Sequence, residues 1–380
     1  MDLEPILLYI DDSNNNFQSE ILESSIFTIT NQVPDSKFLY PICLSSGPPF
    51  IQDVKIPDVV LYEIHRGNGL VLMFHSSEGY SWNHYNKMVK RLQTFNTIDN
   101  NKIVFVTGNA EISTQYKSVY CSFWEPDSFS NNVIKEKQLG IQHIFKDDLR
   151  PYKFISLNRI CHPHRFAVVT ALYPYQEQGL LSFVNAEYSV GSNYRKVSFD
   201  KFAKNYPNYR IKWGYLDPEM TLRVSTALDY EGESIDPIII DKFEDKFYYS
   251  YLHIVCETFV SHVFFSEKTY KPIKYFQPFV LINGQHGLQY LRGLGYKTFG
   301  GYIDESYDHE PDNEKRIEMA TQASLDFINR TDLHEIMKEM YPIFKHNHDT
   351  FIERCKNFQD TLHSDISNIL NTRNNDANQN

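Results

Sequence analysis

The sequence predicts an α/β protein with two domains. Short apolar segments that suit buried parallel strands recur along the chain, and segments with helical spacing separate them. A chain of 380 residues also exceeds one ordinary hydrophobic core. The elements predicted first along the chain are strands at Ile6 to Ile10, Val59 to Tyr62, Leu70 to Phe74 and Ile103 to Val106, with a helix at Tyr85 to Phe95.

A second α/β domain is predicted to begin after the linker-like segment Asp147 to Tyr152. Its predicted elements are a strand at Lys153 to Leu157, a turn at Asn158 to Pro163, a helix at His164 to Leu172, strands at Phe259 to Phe265 and Phe279 to Ile282, and helices at 313–328 and 332–370. Residues 185–240 are polar and irregular, which predicts an insertion. We therefore expect an N-terminal domain at 1–150, a C-terminal domain at 151–370 and a disordered tail at 371–380.

Composition narrows the class of protein. The net charge is −11, from 37 basic and 48 acidic residues, which argues against a broad, non-specific nucleic-acid binder. The five cysteines are scattered without a CxxC pair and predict reduced core thiols. The N-terminus lacks a signal-peptide pattern, and no apolar run has the length of a membrane span. These features predict a cytoplasmic protein.

The segment Phe265 to Pro272 carries the main chemical signal. Ser266 is a candidate N-cap, and Glu267, Lys268, Tyr270 and Lys271 fall in the first helical turns. Pro272 is expected to fit early in the same helix. Lysine is disfavoured at a helix N-terminus, where the macrodipole is positive. Its presence there predicts a bound anion with neighbouring hydroxyls, such as a nucleoside diphosphate. Lys268 alone could also be an ordinary surface lysine.

Two carboxylates, Glu257 and Glu267, flank the strand predicted at Phe259 to Phe265. One carboxylate beside a nucleotide can accept both ribose hydroxyls, and a second can hold sugar hydroxyls or a base edge. The alternative is that either glutamate is a solvated loop residue. The lysines at the same helix start favour a functional role for Glu267.

The turn at Asn158 to Pro163 is a second candidate site. It contains Asn158, Arg159, His162, His164 and Arg165, after a strand and at the start of a helix. In open α/β sheets ligands sit at the carboxyl ends of strands, where an arginine can bind phosphate. Two histidines separated by proline, without a third ligand in sequence, are weak evidence for a metal, so we predict no metal site.

The turn Asn283 to Gly287 follows a predicted buried strand, and Gly284 and Gly287 would allow close backbone approach to a diphosphate or sugar. It is not a GxGxxG motif, and the chain has no GxxxxGK[ST] loop, which weighs against kinases, NTPases and dinucleotide oxidoreductases. A later acidic cluster could bind a donor sugar or cap the helix that follows it; its members are Asp304, Glu305 and Asp308.

In the first domain, the segment His75 to Trp82 follows a predicted strand. Glu78 could act there as a general base for an acceptor hydroxyl, and Tyr80 and Trp82 could stack on the acceptor. An ordinary turn with a helix cap at Ser81 is the alternative.

The segment Phe265-Ser-Glu-Lys-Thr-Tyr-Lys-Pro272 resembles the donor-binding motif of GT-B glycosyltransferases, which have two Rossmann-like domains facing a cleft. It is most similar to the α1,3-fucosyltransferase-like group and to glycosyltransferase-like proteins of phages and large viruses. The resemblance covers about residues 153–310. It implies that Glu267 holds the donor ribose, that Lys268 holds the diphosphate, and that Asn158 and Arg165 belong to the phosphate-binding turn.

We therefore expect a metal-independent and cofactor-independent glycosyltransferase that uses a UDP- or GDP-sugar. Its acceptor is either a glycan or a hydroxymethylated base in viral DNA. The DNA alternative requires a local basic surface, for which the candidates are Lys87, Lys90, Arg91 and Lys102. The rival from another class is a non-catalytic viral protein that binds nucleotides or carbohydrates.

Overall fold

The computed structural model describes residues 5–10, 26–34, 36–43, 54–75, 81–111, 116–129, 132–158, 162–183 and 244–372. The chain divides into two compact units: residues 1–127 with 353–380, and residues 128–352. The sequence prediction had placed the boundary after residue 150 and all the final helices in the second domain. The observed division thus lies earlier, and the end of the chain returns to the first unit.

The first unit contains a six-stranded parallel sheet with strand order β2-β1-β3-β4-β5-β6. Side chains from alternate strand positions point to opposite faces. Tyr40, Met73 and Phe105 face the helices Asp58–Arg66 and Trp82–Phe95, whereas Leu39 and Val106 face the last helix, Phe358–Asn371. The strands are β1 (Ile6–Tyr9), β2 (Phe27–Thr30), β3 (Phe38–Cys43), β4 (Gly69–His75), β5 (Ile103–Thr107) and β6 (Lys117–Tyr120), and the helices are α1 (Asp58–Arg66), α2 (Trp82–Phe95) and α3 (Trp124–Asp127).

The second unit contains a four-stranded parallel sheet with strand order β10-β9-β7-β8. Its strands are β7 (Tyr152–Asn158), β8 (Gly179–Phe183), β9 (Ser250–Cys256) and β10 (Phe279–Ile282). The helices that follow α3 are α4 (Val133–Phe145), α5 (Pro163–Leu172), α6 (Glu244–Tyr248), α7 (Glu267–Lys274), α8 (Gly287–Gly293), α9 (Asn313–Ile328), α10 (Leu333–Glu339), α11 (Tyr341–Lys356) and α12 (Phe358–Asn371). Short 3₁₀ helices cover Asn100–Lys102, Tyr173–Gln178 and Ser306–His309.

The end of the chain is fixed to the first unit by polar contacts and by burial. Arg354 donates two hydrogen bonds, of 2.6 and 2.9 Å, to the buried carboxylate of Glu125 in α3. Lys37 donates to the carbonyl of Leu370 at 3.0 Å. Leu362 and Ile366 of α12 are buried in the core beneath the sheet. These contacts explain why residues after 352 join the first unit.

The predicted α/β class is confirmed, and so are most of the predicted elements. The apolar runs at Ile6, Leu70, Ile103 and Lys153 form β1, β4, β5 and β7, and the predicted strand Phe279 to Ile282 has the bounds of β10. Helices α2, α5 and α9 also form where helical spacing predicted them. The predicted insertion at 185–240 and residues 373–380 of the predicted tail lie outside the described residues.

Two predicted strands are wrong. The run Val59 to Tyr62 belongs to helix α1, in which Val60 and Ile64 are buried and Val59 is exposed. An apolar run of four residues cannot by itself distinguish a strand from one face of a helix. The segment Phe259 to Phe265 is a loop that is exposed at Ser261 and buried from His262 onwards; the strand is β9, which ends at Cys256 just before Glu257.

Pro272 also differs from expectation, because it is the sixth residue of α7 rather than an early one. It lacks the N–H that would continue the helical hydrogen bonds, and the helix ends two residues later, at Lys274. Within the described residues, no helix is both long enough and apolar enough to cross a bilayer.

A buried ion pair between α4 and α7 gives a prediction about stability. Glu136 and Lys274 are both nearly inaccessible, and their charged atoms are 3.1 Å apart. We expect Lys274→Met to lower the unfolding free energy by about 3–5 kcal/mol, because it leaves an unpaired buried carboxylate. Urea unfolding followed by circular dichroism measures the loss. The double variant Glu136→Leu/Lys274→Met should recover much of it, and Lys315→Ala, in an exposed pair, should have no measurable effect.

Buried histidines give a second prediction, about acid stability. Burial and then Lys271 lower the pKa of His253 to about 3, and burial and then Lys137 lower the pKa of His348 to about 4. Both values lie below the ordinary 6.5, so below that pH the unfolded chain binds more protons than the folded protein does. The stability contributed by the two neutral histidines is therefore fully present above about pH 6.5 and is lost as the pH falls towards 4 for His348 and 3 for His253.

Each of these histidines contributes at most about 1.4 kcal/mol per pH unit within that window. We expect His348→Met to reduce the slope of unfolding free energy against pH by up to this amount. The exposed His309→Met is the matched control. An unchanged slope in His348→Met would show that His348 does not bear the lowered pKa.

Candidate functional site

The carboxyl ends of β7 and β9 form the topological switch point of the second sheet. The connection after β7 leads to β8 on one side, whereas the connection after β9 leads to β10 on the other. In open α/β sheets such a point leaves a crevice that commonly binds ligands. Asn158 ends β7, Glu257 follows β9, and helices α5 and α7 both begin at this edge.

The carboxylate of Glu257 organises this edge. The residue is fully buried. One carboxylate oxygen accepts hydrogen bonds from the backbone N–H of Ser266 at 2.9 Å and from the hydroxyl of Thr269 at 2.6 Å. The other accepts from the hydroxyl of Ser266 at 2.6 Å. Glu257 therefore ties the end of β9 to the first turn of α7.

This geometry corrects the donor-binding role predicted for Glu257. A carboxylate with no exposed surface and three internal donors is not available to a ribose. Glu257 is instead a positioning residue that fixes the start of α7. Thr269, which the sequence interpretation did not select, is the buried partner that completes this arrangement.

Ser266 caps α7 as predicted, since its hydroxyl oxygen accepts from the backbone N–H of Lys268. The ammonium of Lys268 lies 2.9 Å from the same oxygen, 3.3 Å from the Glu267 carboxylate and 4.0 Å from that of Glu257. The side chains of Lys268 and Glu267 remain 25% and 17% exposed. Two carboxylates thus offset the repulsion between this lysine and the helix dipole, and the charged pair stays accessible.

The carboxylate of Glu267 stays ionised at neutral pH. Burial by itself would raise its pKa, but Lys268 and Lys271, with hydrogen bonds from Lys268 and Ser266, outweigh burial and hold the pKa below its ordinary value. A partly exposed carboxylate in this state can accept hydrogen bonds from two neighbouring hydroxyls.

Helix α5 contributes two buried basic side chains to the same edge. Arg165 donates to the carbonyl of Cys256 at 3.3 Å, and the Nε2–H of His164 donates to the carbonyl of Glu257 at 2.7 Å. Asn158 is buried as well, and its amide donates to the Ser156 hydroxyl at 3.1 Å. The predicted donor-binding residues Asn158 and Arg165 thus lie at this edge, but both are buried; Arg165 and His164 join α5 to the end of β9, and Asn158 bonds within β7.

His162 lies at the N-cap of α5 and is half-buried. Burial, then Arg165 and Lys268, lower its pKa to about 4, and the same causes hold the pKa of His164 well below its ordinary value. Burial raises the pKa of the Cys256 thiol to about 12. At neutral pH the fixed positive charges at this edge therefore come from arginine and lysine, whereas both histidines are neutral.

The loop from Phe259 to Phe265 is held by residues that sequence reasoning missed. The side chain of Asn283 exchanges two hydrogen bonds with the backbone of Phe264, at 3.2 and 2.8 Å. Arg316 of α9 donates to the carbonyls of Val260 and Asn283, at 2.5 and 3.1 Å. These bonds link positions far apart in the chain, so no local pattern could have identified them.

Gly284 and Gly287 serve internal packing. A side chain at Gly284 would collide with the main chain of His262 and Val263, and one at Gly287 would press on the side chain of Asn283. The close backbone approach predicted for Gly284 is therefore made by the protein's own chain.

The acidic cluster after this turn caps α8, the helix that precedes it in the chain, and not the helix that follows it. The carboxylate of Asp308 accepts from the backbone N–H groups of Leu288 and Gln289, at 2.8 and 3.0 Å, at the start of α8. Glu305 accepts from Thr298 and from the backbone of Phe299. The amides that a phosphate would use at α8 are thus occupied by Asp308.

Tyr270 belongs to the core. It is fully buried, and its ring packs 6.1 Å from that of Phe351 and 6.4 Å from that of Tyr296. Lys271, by contrast, is partly exposed one turn beyond Glu267. The predicted residues Arg159, Glu78 and Tyr80 lie outside the described residues, and Trp82 is the first residue of α2.

Within the described ranges, no group of three or more His, Cys, Asp or Glu side chains is arranged to hold a metal ion. A scan against protein-family models matches no family, and a search of curated proteins finds no significant relative.

The buried carboxylate generates a test of the site's construction. We expect Glu257→Gln to lower the unfolding free energy of the second unit by about 1.5–3 kcal/mol, because an amide presents an N–H₂ group to the donors of Ser266 or Thr269. Thr269→Val should cost less, since it removes one hydrogen bond and keeps the side-chain shape. Equal stability of Glu257→Gln and the unmodified protein in urea would contradict a structural role for this carboxylate.

Proposed function

We propose that this protein is a nucleotide-sugar-dependent glycosyltransferase of the GT-B type, which transfers a sugar from a UDP- or GDP-sugar to an acceptor hydroxyl. The observation that carries the proposal is the accessible pair Glu267 and Lys268 at the start of α7, fixed by buried Glu257 at the switch point of a parallel sheet. The pair combines an ionised carboxylate, which can accept hydrogen bonds from hydroxyl groups, with a cation that can bind a diphosphate.

Each accessible residue then has a role in donor binding. Glu267 accepts the ribose hydroxyls, and Lys268 and Lys271 bind the diphosphate as point charges. The buried guanidinium of Arg165 contributes positive potential through its position rather than by contact. The partial positive charge at the α5 and α7 N-termini acts in the same direction.

In the proposed reaction, the acceptor oxygen forms a bond to the anomeric carbon while the bond from that carbon to the phosphate oxygen breaks. The acceptor proton passes to a general base, for which the sequence offers Glu78 as the candidate; Tyr80 and Trp82 are the sequence candidates for acceptor binding. The nucleoside diphosphate leaves with the electron pair. Lys268 stabilises the negative charge that develops on it, so the step requires no metal or other cofactor.

For the acceptor, the exposed face of α2 supports viral DNA as an alternative to a glycan. Lys87, Lys90 and Arg91 are exposed on this helix, which contains no acidic residue, although the chain is acidic as a whole. A modified base would have to be flipped out of the duplex to react. Salt-sensitive binding to duplex DNA that weakens in Lys87→Ala/Lys90→Ala would favour DNA; its absence would favour a glycan acceptor, with the enzyme acting in the cytoplasm in either case.

The proposal is tested first by a thermal-shift screen of UDP-, GDP- and CMP-sugars. Ligands that bind only the folded protein raise its melting temperature, so one nucleotide should produce a clear shift. A shift that is not followed by transfer to any acceptor would favour a non-catalytic nucleotide- or carbohydrate-binding viral protein. No shift with any sugar nucleotide would refute donor binding.

Replacing Lys268 gives the matching kinetic prediction. We expect Lys268→Ala to lower kcat by about 10²–10³-fold, because a charge that stabilises the leaving diphosphate is lost. Lys297→Ala, on an exposed loop of the same unit, is the control. Turnover in Lys268→Ala equal to that of the control would rule out this role.

A further inference from the structure

His162 is a side chain of the site to which the proposed reaction gives no part. It lies at the N-cap of α5, but its side chain makes no capping hydrogen bond. Its ring is half-buried and stacks on that of His164, with centroids 5.5 Å apart and an angle of 14° between the rings. His164 is held on the Glu257 carbonyl, so His162 is the outer ring of the pair.

Among the described residues, the two charged side chains that lower the pKa of His162 are both positive. Arg165 of α5 and Lys268 of α7 both act on its ring as positive charges. The nearby carboxylates are committed elsewhere, since Glu257 is bound to Ser266 and Thr269, and Glu267 pairs with Lys268. In the part of the chain that the structure describes, the titratable groups around the site are His164 and Arg165 on α5, Cys256 and Glu257 at the end of β9, and Glu267, Lys268 and Lys271 on α7.

Resting on the proposed function, we propose that His162 contacts the diphosphate of the bound donor and takes up one proton from solvent as the donor binds. The imidazole then carries two N–H groups, and the new one donates to a phosphoryl oxygen. No other bond changes in this step. His162 would thus carry its positive charge only while the diphosphate of the donor is bound.

The physical reason is a reversal of the local field. In the free protein, a third positive charge beside Arg165 and Lys268 is unfavourable, and burial adds to the cost, which is why the pKa of His162 is about 4. A bound diphosphate brings two negative charges among these cations. It favours the charged imidazole and supplies a hydrogen-bond acceptor for the new N–H.

A consequence for affinity follows by linkage. If donor binding takes up a proton, the donor affinity rises as the pH falls, by up to about tenfold per pH unit. Sugar esters of nucleoside diphosphates suit the measurement, because each of their phosphate groups stays singly ionised from pH 5.5 to 8. Any proton uptake then belongs to the protein.

The test is isothermal titration with UDP-glucose and GDP-mannose at pH 6, in two buffers of different ionisation enthalpy. The unmodified protein should take up close to one proton with the nucleotide sugar that it binds. His162→Gln should take up almost none, bind as well as the unmodified protein at pH 8 and bind about tenfold more weakly at pH 6. The exposed His309→Gln should behave as the unmodified protein does.

The outcomes separate this inference from the proposed function. Donor binding without proton uptake, or uptake that persists in His162→Gln, overturns the role of His162 and leaves the donor site intact. Absence of binding with any sugar nucleotide refutes the donor site itself. Should His162→Gln not fold, NMR of the histidine-labelled unmodified protein decides: one ring must change from neutral to charged on saturation with donor, and no such ring overturns the inference.

Discussion

The hydrogen bonds of the Glu257 carboxylate are the constraint on which the candidate site depends. They join the first residue after β9 to the backbone and hydroxyl of Ser266 and to the hydroxyl of Thr269. Removing such a buried acceptor would leave three donors unsatisfied, so the first turn of α7 has one strongly preferred position. The accessible side chains of Glu267 and Lys268 lie on this turn, so their backbone is fixed before a ligand binds, as a preorganised binding site requires.

Charge is arranged around this carboxylate in two layers. Beneath the surface, Arg165 and His164 bind the carbonyls at the end of β9 and hold α5 against it. At the surface, Lys268 lies between two carboxylates, and Glu267 remains ionised. The result is a small area that offers both a cation and an anion, in a protein whose overall charge is negative. Such an area suits a ligand that carries phosphate and hydroxyl groups together.

The sequence predicted what is local. The Ser266 cap follows from a polar residue before a charged first turn, and β10 follows from four consecutive apolar residues. The role of Glu257 was not predictable, because it depends on how the loop after β9 folds back over the strand end. The same holds for Asp308, which caps α8 from twenty residues further along the chain. Tyr270 is likewise buried in the core rather than exposed at the site, and its burial depends on tertiary packing that the sequence does not show.

The proposed donor site requires that a sugar nucleotide binds at the start of α7. Hydrogen–deuterium exchange with and without the sugar nucleotide that gives a thermal shift tests it most directly. Occupation of the site should slow amide exchange in peptides that cover 162–168 and 257–271, with little change in peptides of α8, whose N-terminus Asp308 already occupies. Protection confined to other segments, with no change in these two, would show that the sugar nucleotide does not bind at the start of α7.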